Sequence, residues 1–386
     1  MTHFIDGNQI KLLRNGAEYF PALETAINNA AQEVYLQTYI YEADATGTRI
    51  GDALKRAALR GVTVNLLLDG YGCKDLPKTF IQELEHAGVR VMFYRPKISP
   101  WTFKRRRLRR LHRKVVIVDG NVGFVGGINI IDDNNVPDHI PPRIDYAVRI
   151  EGAILVGVVA SVQKLWRRMA GNSLQPSNAI FIRGKSQTPL QALKTGIRAA
   201  FVVRDNVLHR HDIEKAYITA INKAKSEIII ANAYFVPGRR FRNALLASAN
   251  RGVTVKLLLQ GRKEYFLMFA THALYNEFLN SGIEIYEYRK SFMHSKVAVI
   301  DSHWATVGSS NIDPFSFLLA HEANVVVKDS EFAIGLRNEI IASINESAHR
   351  VTVEEWEHGN KIKLILSWVA YVLVRFFLGV IGYSDD

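Results

Sequence analysis

The residues best suited to chemistry fall into one pattern that occurs twice. His112, Lys114 and Asp119 read H-x-K-x-x-x-x-D, and His294, Lys296 and Asp301 repeat it, with four apolar residues between Lys and Asp each time. A Gly-rich turn and an asparagine follow each copy: Gly126-Gly127-Ile128-Asn129 and Gly308-Ser309-Ser310-Asn311. The interval from His to Asn is 17 residues in both copies. Two imidazoles, two ammonium groups and two amides suit a phosphodiester. One imidazole can attack phosphorus and form a phosphohistidine while the other protonates the leaving oxygen. The lysines and asparagines can hold the non-bridging oxygens as charge builds on them. This chemistry requires no metal, and neither a metal nor a cofactor is expected.

An imidazole used this way wants a carboxylate on its other ring nitrogen. Asp145, in Arg-Ile-Asp-Tyr-Ala-Val, and Glu322, in His-Glu-Ala-Asn-Val-Val, are the candidates, each ahead of a strand-like run. Asp119 and Asp301 are expected to be architectural, fixing the turn after the apolar run.

These side chains need strands to carry them. Val115 to Val118 is an apolar run that reads as a central strand, with His112 and Lys114 two residues apart and so on one face. Upstream, strands are expected near residues 8–15, 34–41, 62–69 and 89–94. Helices are expected over 21–31, with Pro21 in the first turn, and over 48–60 and 78–87. The second half repeats the order. Arg251-Gly-Val-Thr-Val-Lys-Leu-Leu-Leu259 differs from Arg60-Gly-Val-Thr-Val-Asn-Leu-Leu-Leu68 at one position in nine. Strands alternating with helices predict an α/β fold: two pseudo-symmetric α/β/α halves with mixed, largely parallel sheets. Packed about a pseudo-two-fold, the halves would bring both motifs to one active site at their interface. The expected division is an N-terminal half over 1–169, a linker over 170–189 rich in Ser, Asn, Gln and Gly, a C-terminal half over 190–350, and a tail over 351–386.

Composition supports a globular chain with an anionic partner. The 386 residues are 48% hydrophobic and 22% charged, with a net charge of +12, which points to nucleic acid, acidic lipid or a phosphate-bearing substrate. The single cysteine, Cys73, excludes an internal disulfide and a Cys-based zinc site. The first residues, Met-Thr-His-Phe-Ile-Asp-Gly-Asn, carry neither part of a secretory signal. Residues 364–383 are almost wholly apolar, interrupted by Ser367 and Arg375. At about 1.5 Å per residue they are long enough for a bilayer core. Arg375 near the middle would cost ~2.5–3.5 kcal/mol, so spanning and lying in the interface both remain open.

The twin motifs resemble the phospholipase D superfamily over about residues 8 to 350. Within it, Leu68-Asp-Gly-Tyr-Gly72, Arg110 to Asp119, Phe124 to Asn129 and Asp145 to Gly152 resemble the shorter bacterial cardiolipin synthases of the B type. That resemblance implies phosphatidyl transfer between two phosphatidylglycerols, giving cardiolipin and glycerol; a hydrolase or nuclease of the same superfamily is the alternative. It assigns His112 or His294 as nucleophile, leaning to His112 with His294 as acid and base. Lys114, Lys296, Asn129 and Asn311 would hold phosphate. The sequence departs from the superfamily's frequent Asn-x-Asp-x-Arg-Ser, with Phe315 where that arginine would stand. Just before His112, Trp101 and Phe103 sit beside Arg105, Arg106 and Arg107. Aromatics among cations favour anionic lipid head groups over nucleic acid there. The expected partners are therefore an anionic phospholipid substrate and a membrane surface, met by this loop and residues 364–383. No nucleic acid is expected. The expected location is the cytoplasmic face of the inner membrane, peripheral or held by the tail.

Overall fold

The structure, a computed structural model, describes residues 2–96, 109–136, 140–171, 196–205, 209–261, 266–313, 320–357, 367–369 and 372–373. The first half opens with β1 (Ile5–Arg14), α1 (Asn15–Asn28), β2 (Glu33–Thr38), α2 (Ala45–Leu59), β3 (Thr63–Asp69), α3 (Lys78–His86) and β4 (Arg90–Tyr94). It continues through β5 (Arg110–Leu111), β6 (Lys114–Val118), β7 (Val122–Gly126), β8 (Tyr146–Gly152) and α4 (Leu155–Ala170). The second half runs β9 (Ile197–Arg204), α5 (Asp212–Lys223), β10 (Glu227–Asn232), α6 (Arg239–Asn250), β11 (Thr254–Gln260), α7 (Phe266–His272), α8 (Tyr275–Asn280) and β12 (Glu284–Tyr288). It closes with β13 (Lys296–Ile300), β14 (Trp304–Gly308), β15 (Ala320–Lys328), α9 (Ser330–Ser347), β16 (Ala348–Val351) and α10 (Val353–Glu357).

The repeated Arg-Gly-Val-Thr-Val stretch has a local cause. Gly61 and Gly252 follow α2 and α6 with φ of +91° and +86°, a conformation that favours glycine. Val62 N–H then donates to Ala57 O and Val253 N–H to Ser248 O, both at 3.1 Å, closing the helix end before the strand begins. Arg60 and Arg251 reach back to the carbonyls of Ile27 and Ile221. The same nine-residue solution thus turns helix into strand in both halves. Pro21 lies inside α1 rather than in its first turn, because the helix begins at Asn15, whose φ is +56°.

Among the described residues the strands form one 16-stranded sheet, ordered β16-β12-β11-β10-β13-β14-β15-β9-β1-β8-β7-β6-β2-β3-β4, with β5 on β15. It is mixed, but the expectation of largely parallel sheets needs correction. Parallel pairing is confined to β2-β3-β4, β10-β11-β12 and β5 with β15. Consecutive strands joined through helices run parallel within each half, whereas the motif strands turn back directly as hairpins β6-β7 and β13-β14. At the seam, β1 pairs antiparallel with both β8 and β9, and β9 with β15, so the two halves share one sheet.

Helices cover both faces. On one face α1, α2 and α3 pack over the first half, and α5, α6 and α8 over the second. On the other, α4 and α9 cover a core common to both: Val115, Val125 and Val148 join Val297, Val307, Val325 and Leu336. Burying each such side chain contributes about 1.5–3 kcal/mol, so docking of the halves rests on apolar contact as well as on strand pairing. Among the described residues, no helix is long and apolar enough to cross a membrane. The loop holding Trp101, Phe103, Arg105, Arg106 and Arg107 lies outside the described residues, as do Phe315, residues 172–195 and most of the tail.

Candidate active site

The motif strands β6 and β13 are buried along their length, and the catalytic candidates sit where they begin. Strand alternation sends His112 and Lys114 to one face and the intervening Arg113 to the other. There Arg113 Nε donates to Gln37 Oε1 at 2.7 Å and a terminal nitrogen to Ser161 Oγ at 2.8 Å. Each histidine is held through its backbone by the opposite half. His112 N–H donates to His321 O at 3.0 Å, and His294 N–H to Ile144 O at 2.8 Å. His321 and Ile144 immediately precede Glu322 and Asp145, so the same pairing delivers a carboxylate to each ring.

The carboxylates are exchanged between halves. His112 Nδ1 pairs with Glu322 Oε1 at 2.8 Å, and His294 Nδ1 with Asp145 Oδ2 at 2.6 Å. The carboxylates are sealed, with side-chain exposures of 0% and 3%, whereas the imidazoles keep 15% and 13%. With Nδ1 committed, Nε2 is the nitrogen left for a substrate. Tyr39 packs edge-on against His112 at 4.9 Å between ring centres, and Phe292 stacks on His294 at 5.8 Å.

Lys114 and Lys296 are almost fully buried. Lys114 Nζ donates to the carbonyl of His112 at 2.7 Å, and Lys296 Nζ to that of His294. An ammonium has three donors, so each lysine keeps capacity for an anion. Burial pushes Lys114 down to about 7, against the favourable pull of Glu322, and Lys296 down to about 8, against Asp145. Burial also lowers His112, with Glu322 opposing, and lowers His294 well below the usual imidazole range, with Lys296 and Lys114 adding to the effect. Asp145 is raised to about 6, mainly by burial and despite Lys296. Two ammonium groups and two imidazoles thus share the enclosed site with the carboxylates of Asp145 and Glu322.

Asn129 and Asn311 are both buried beside the motif turns. Ile40 N–H donates to Asn129 Oδ1 at 3.0 Å, which turns the Nδ2 donor outward from that bond. Asp119 and Asp301 are away from the imidazoles. Asp119 accepts from the backbone N–H groups of Ala31, Gln32 and Glu33, and Asp301 from those of Lys225, Ser226 and Glu227. Each ties the end of a motif strand to the start of its neighbour.

Several supporting residues were not singled out by the sequence. Asp69 Oδ2 accepts the N–H of Leu111 at 2.7 Å, one residue before His112. Gln260, at the same place in the second half, accepts from Met293 N–H at 3.4 Å, one residue before His294. Ser309 Oγ donates to Glu322 Oε2. Its counterpart is Gly127, where a Cβ would lie 2.2 Å from Asp145 Oδ1, so the shorter carboxylate fits only against glycine. The repeat offset of 182 residues that aligns the motifs also aligns Gly127 with Ser309, and was the available signal.

Two halves sharing a sheet, each supplying His, Lys and a carboxylate for the other, define a phospholipase D-like protein. The chain belongs to the cardiolipin synthase family with a PLD-like domain, whose description matches residues 23–139 and 217–344. It is 37% identical to cardiolipin synthase B of Salmonella typhimurium over 98% of this chain and 90% of that protein. It is 36% identical to cardiolipin synthase B of Escherichia coli over the same shares. A probable cardiolipin synthase of Bacillus subtilis is 32% identical over 91% of this chain and 69% of its own length. Among solved structures, the phosphatidylserine synthase of Haemophilus influenzae superposes with a TM-score of 0.71 at 13% identity, covering 98% of this chain and 96% of that one. The last of these speaks to the fold.

Proposed function

We propose that this chain is a cardiolipin synthase that moves a phosphatidyl group between phosphatidylglycerols through a phosphohistidine. The crossed histidine–carboxylate pairs, enclosed with two lysines, carry this reading. The imidazole Nε2 of His112 attacks phosphorus and the bond to the head-group glycerol oxygen breaks. His294 gives its Nε2 proton to that oxygen, releasing glycerol. A second phosphatidylglycerol then binds, and its primary hydroxyl gives its proton back to His294. The new oxygen–phosphorus bond forms as the phosphorus–nitrogen bond breaks, leaving cardiolipin and a neutral His112. Lys114, Lys296, Asn129 and Asn311 hold the non-bridging oxygens, with donors already in place before charge develops.

The opposite order of attack has one observation in its favour. Burial, with Lys296 and Lys114 adding, lowers His294 well below the usual imidazole range, whereas at His112 burial and the same lysines are opposed by Glu322. Trapping the intermediate decides it: phosphate on His112 supports the order given, and phosphate on His294 reverses it.

The substrate is a phospholipid. The finer placement we assign is peripheral or tail-anchored attachment at an inner membrane, with Trp101, Phe103, Arg105, Arg106, Arg107 and residues 364–383 meeting anionic lipid. In this assignment the working unit is both halves, 1–169 and 190–350, together. The test is purified protein in phosphatidylglycerol vesicles with lipid analysis. Cardiolipin should appear with wild type, persist in EDTA, and vanish with H112A and with H294A. Cleavage of nucleic acid with no cardiolipin would overturn the reading.

A further inference from the structure

Transfer between two phosphatidylglycerols brings two phosphates to one site, and only one of them reacts. The acceptor's own phosphate lies three carbons from its attacking hydroxyl, so it must rest close to the acid–base imidazole. Both lysines already border the two imidazoles and are committed to the reacting group. A further cation is needed beside that imidazole.

Arg143 meets these conditions. Residues 143–145 run alongside 292–294: Ile144 N–H donates to Phe292 O at 2.9 Å and its carbonyl accepts from His294 N–H at 2.8 Å. Alternation along an extended segment puts Arg143 on the same face as Asp145, whose carboxylate pairs with His294. The backbone there is fixed, with Arg143 N–H donating to Asp133 O at 3.0 Å and Ser291 Oγ donating to Pro142 O at 2.7 Å. The guanidinium gives one terminal nitrogen to Asn135 O, and its Nε is shut off from solvent without a hydrogen-bond partner. A guanidinium has five donors and suits bidentate contact with phosphate.

A purely structural role as counter-ion fits less well. Asp133, Asp145, Glu42 and Asp44 all lie near enough to favour the charge of Arg143, yet none of them accepts from its Nε. On the His112 side the position that matches Arg143 is Ala320, and the cation there is Arg110, which stands opposite Ala320 in the β5–β15 pair and donates to the carbonyl of Arg109.

We propose that Arg143 binds the non-reacting phosphate of the acceptor phosphatidylglycerol and thereby selects an anionic lipid as acceptor. This rests on the reading of the chain as a phosphatidyltransferase with His294 as acid and base. The test compares two acceptors for one donor in phosphatidylglycerol vesicles: phosphatidylglycerol itself, read as cardiolipin, and labelled glycerol, read as label exchanged into phosphatidylglycerol. Glycerol has no phosphate for Arg143 to hold. In R143Q the ratio of cardiolipin formed to glycerol exchanged should fall about tenfold to a hundredfold, the range for losing a buried charge-assisted hydrogen bond. R143K, which keeps the charge but not the fork, should lie between. Equal losses for both acceptors, or an unchanged ratio, would overturn the proposal; thermal unfolding of each variant separates these from failure to fold. If wild type neither forms cardiolipin nor exchanges glycerol, the transferase reading fails instead.

Discussion

Glu322→Gln tests the crossed pairs at one atom. Ser309 Oγ donates to Glu322 Oε2, while Oε1 faces His112 Nδ1 at 2.8 Å. Ser309 Oγ also accepts from Ala323 N–H at 3.0 Å, and of the two acceptors within reach of its proton the carboxylate is nearer than Ala323 O at 3.3 Å, so the proton goes to the carboxylate. A glutamine must then turn its carbonyl oxygen to Ser309 and its NH₂ to His112. That NH₂ demands a bare Nδ1, which moves the ring proton to Nε2 and removes the lone pair that would attack phosphorus. Loss of the charge-assisted bond alone is worth ~1.5–3 kcal/mol, or about ten- to 150-fold. The wrong tautomer deepens this toward the ~10⁴-fold seen when the carboxylate of a hydrolytic triad becomes an amide. E322Q should therefore lose about 10³- to 10⁴-fold in kcat for cardiolipin formation, assayed in phosphatidylglycerol vesicles. Adding S309A frees the amide to flip, so E322Q/S309A should recover about tenfold over E322Q although S309A alone is harmful. E322Q within threefold of wild type, or a double variant no better than E322Q, would refute the reasoning.

Three further outcomes follow from the geometry. Lys114 at about 7 and Lys296 at about 8 are charged below those values and neutral above, so kcat/KM should fall as pH rises through 7 to 8, and the limb in kcat should lie higher because bound phosphate favours the ammonium; a profile flat up to about pH 9.5 would contradict the lysine roles. G127S should cost about 10²-fold in kcat, because its Cβ would be 2.2 Å from Asp145 Oδ1 and would push the carboxylate off His294; full activity would show that the pair tolerates displacement. D119A removes the acceptor for three backbone N–H groups and should cost about 1–3 kcal/mol of stability, lowering Tm by several degrees while kcat per folded molecule stays within about threefold; a collapse of kcat at unchanged Tm would place Asp119 in the chemistry instead.

The sequence made the repeat legible because each half solves its local problems with the same residues: glycine at the helix ends, apolar runs in β6 and β13, matched intervals to Asn129 and Asn311. It also brought Asp145 and Glu322 into view by their places ahead of apolar strands. It could not say which histidine each would serve. Both are many residues from either ring, and the choice is made by β5 on β15 and by Ile144 against Met293, contacts between halves. The share of parallel pairing was overstated for a related reason. Periodicity identifies a strand but is silent on the direction of its neighbour, and the seam strands β1, β8, β9 and β15 are all antiparallel. Arg143 escaped because nothing in its local sequence sets it apart; its meaning comes from His294, which the other half places nearby. Ser309 was visible as the counterpart of Gly127, but no pattern showed that Glu322 would lie beside it.

The crossed carboxylates also bear on the life of the chain before it is complete. A ribosome delivers the first half, with His112 and Lys114, well before Glu322 exists. At that stage Asp145 is present but its histidine is not, and His112 has no anion to set its proton. The second half alone would be in the mirrored predicament. The two histidine–carboxylate pairs are thus assembled only when the halves meet, β9 on β1 and β5 on β15. Until that moment a nascent or half-folded chain holds neither pair complete, so the fold itself ties the chemistry to a finished molecule.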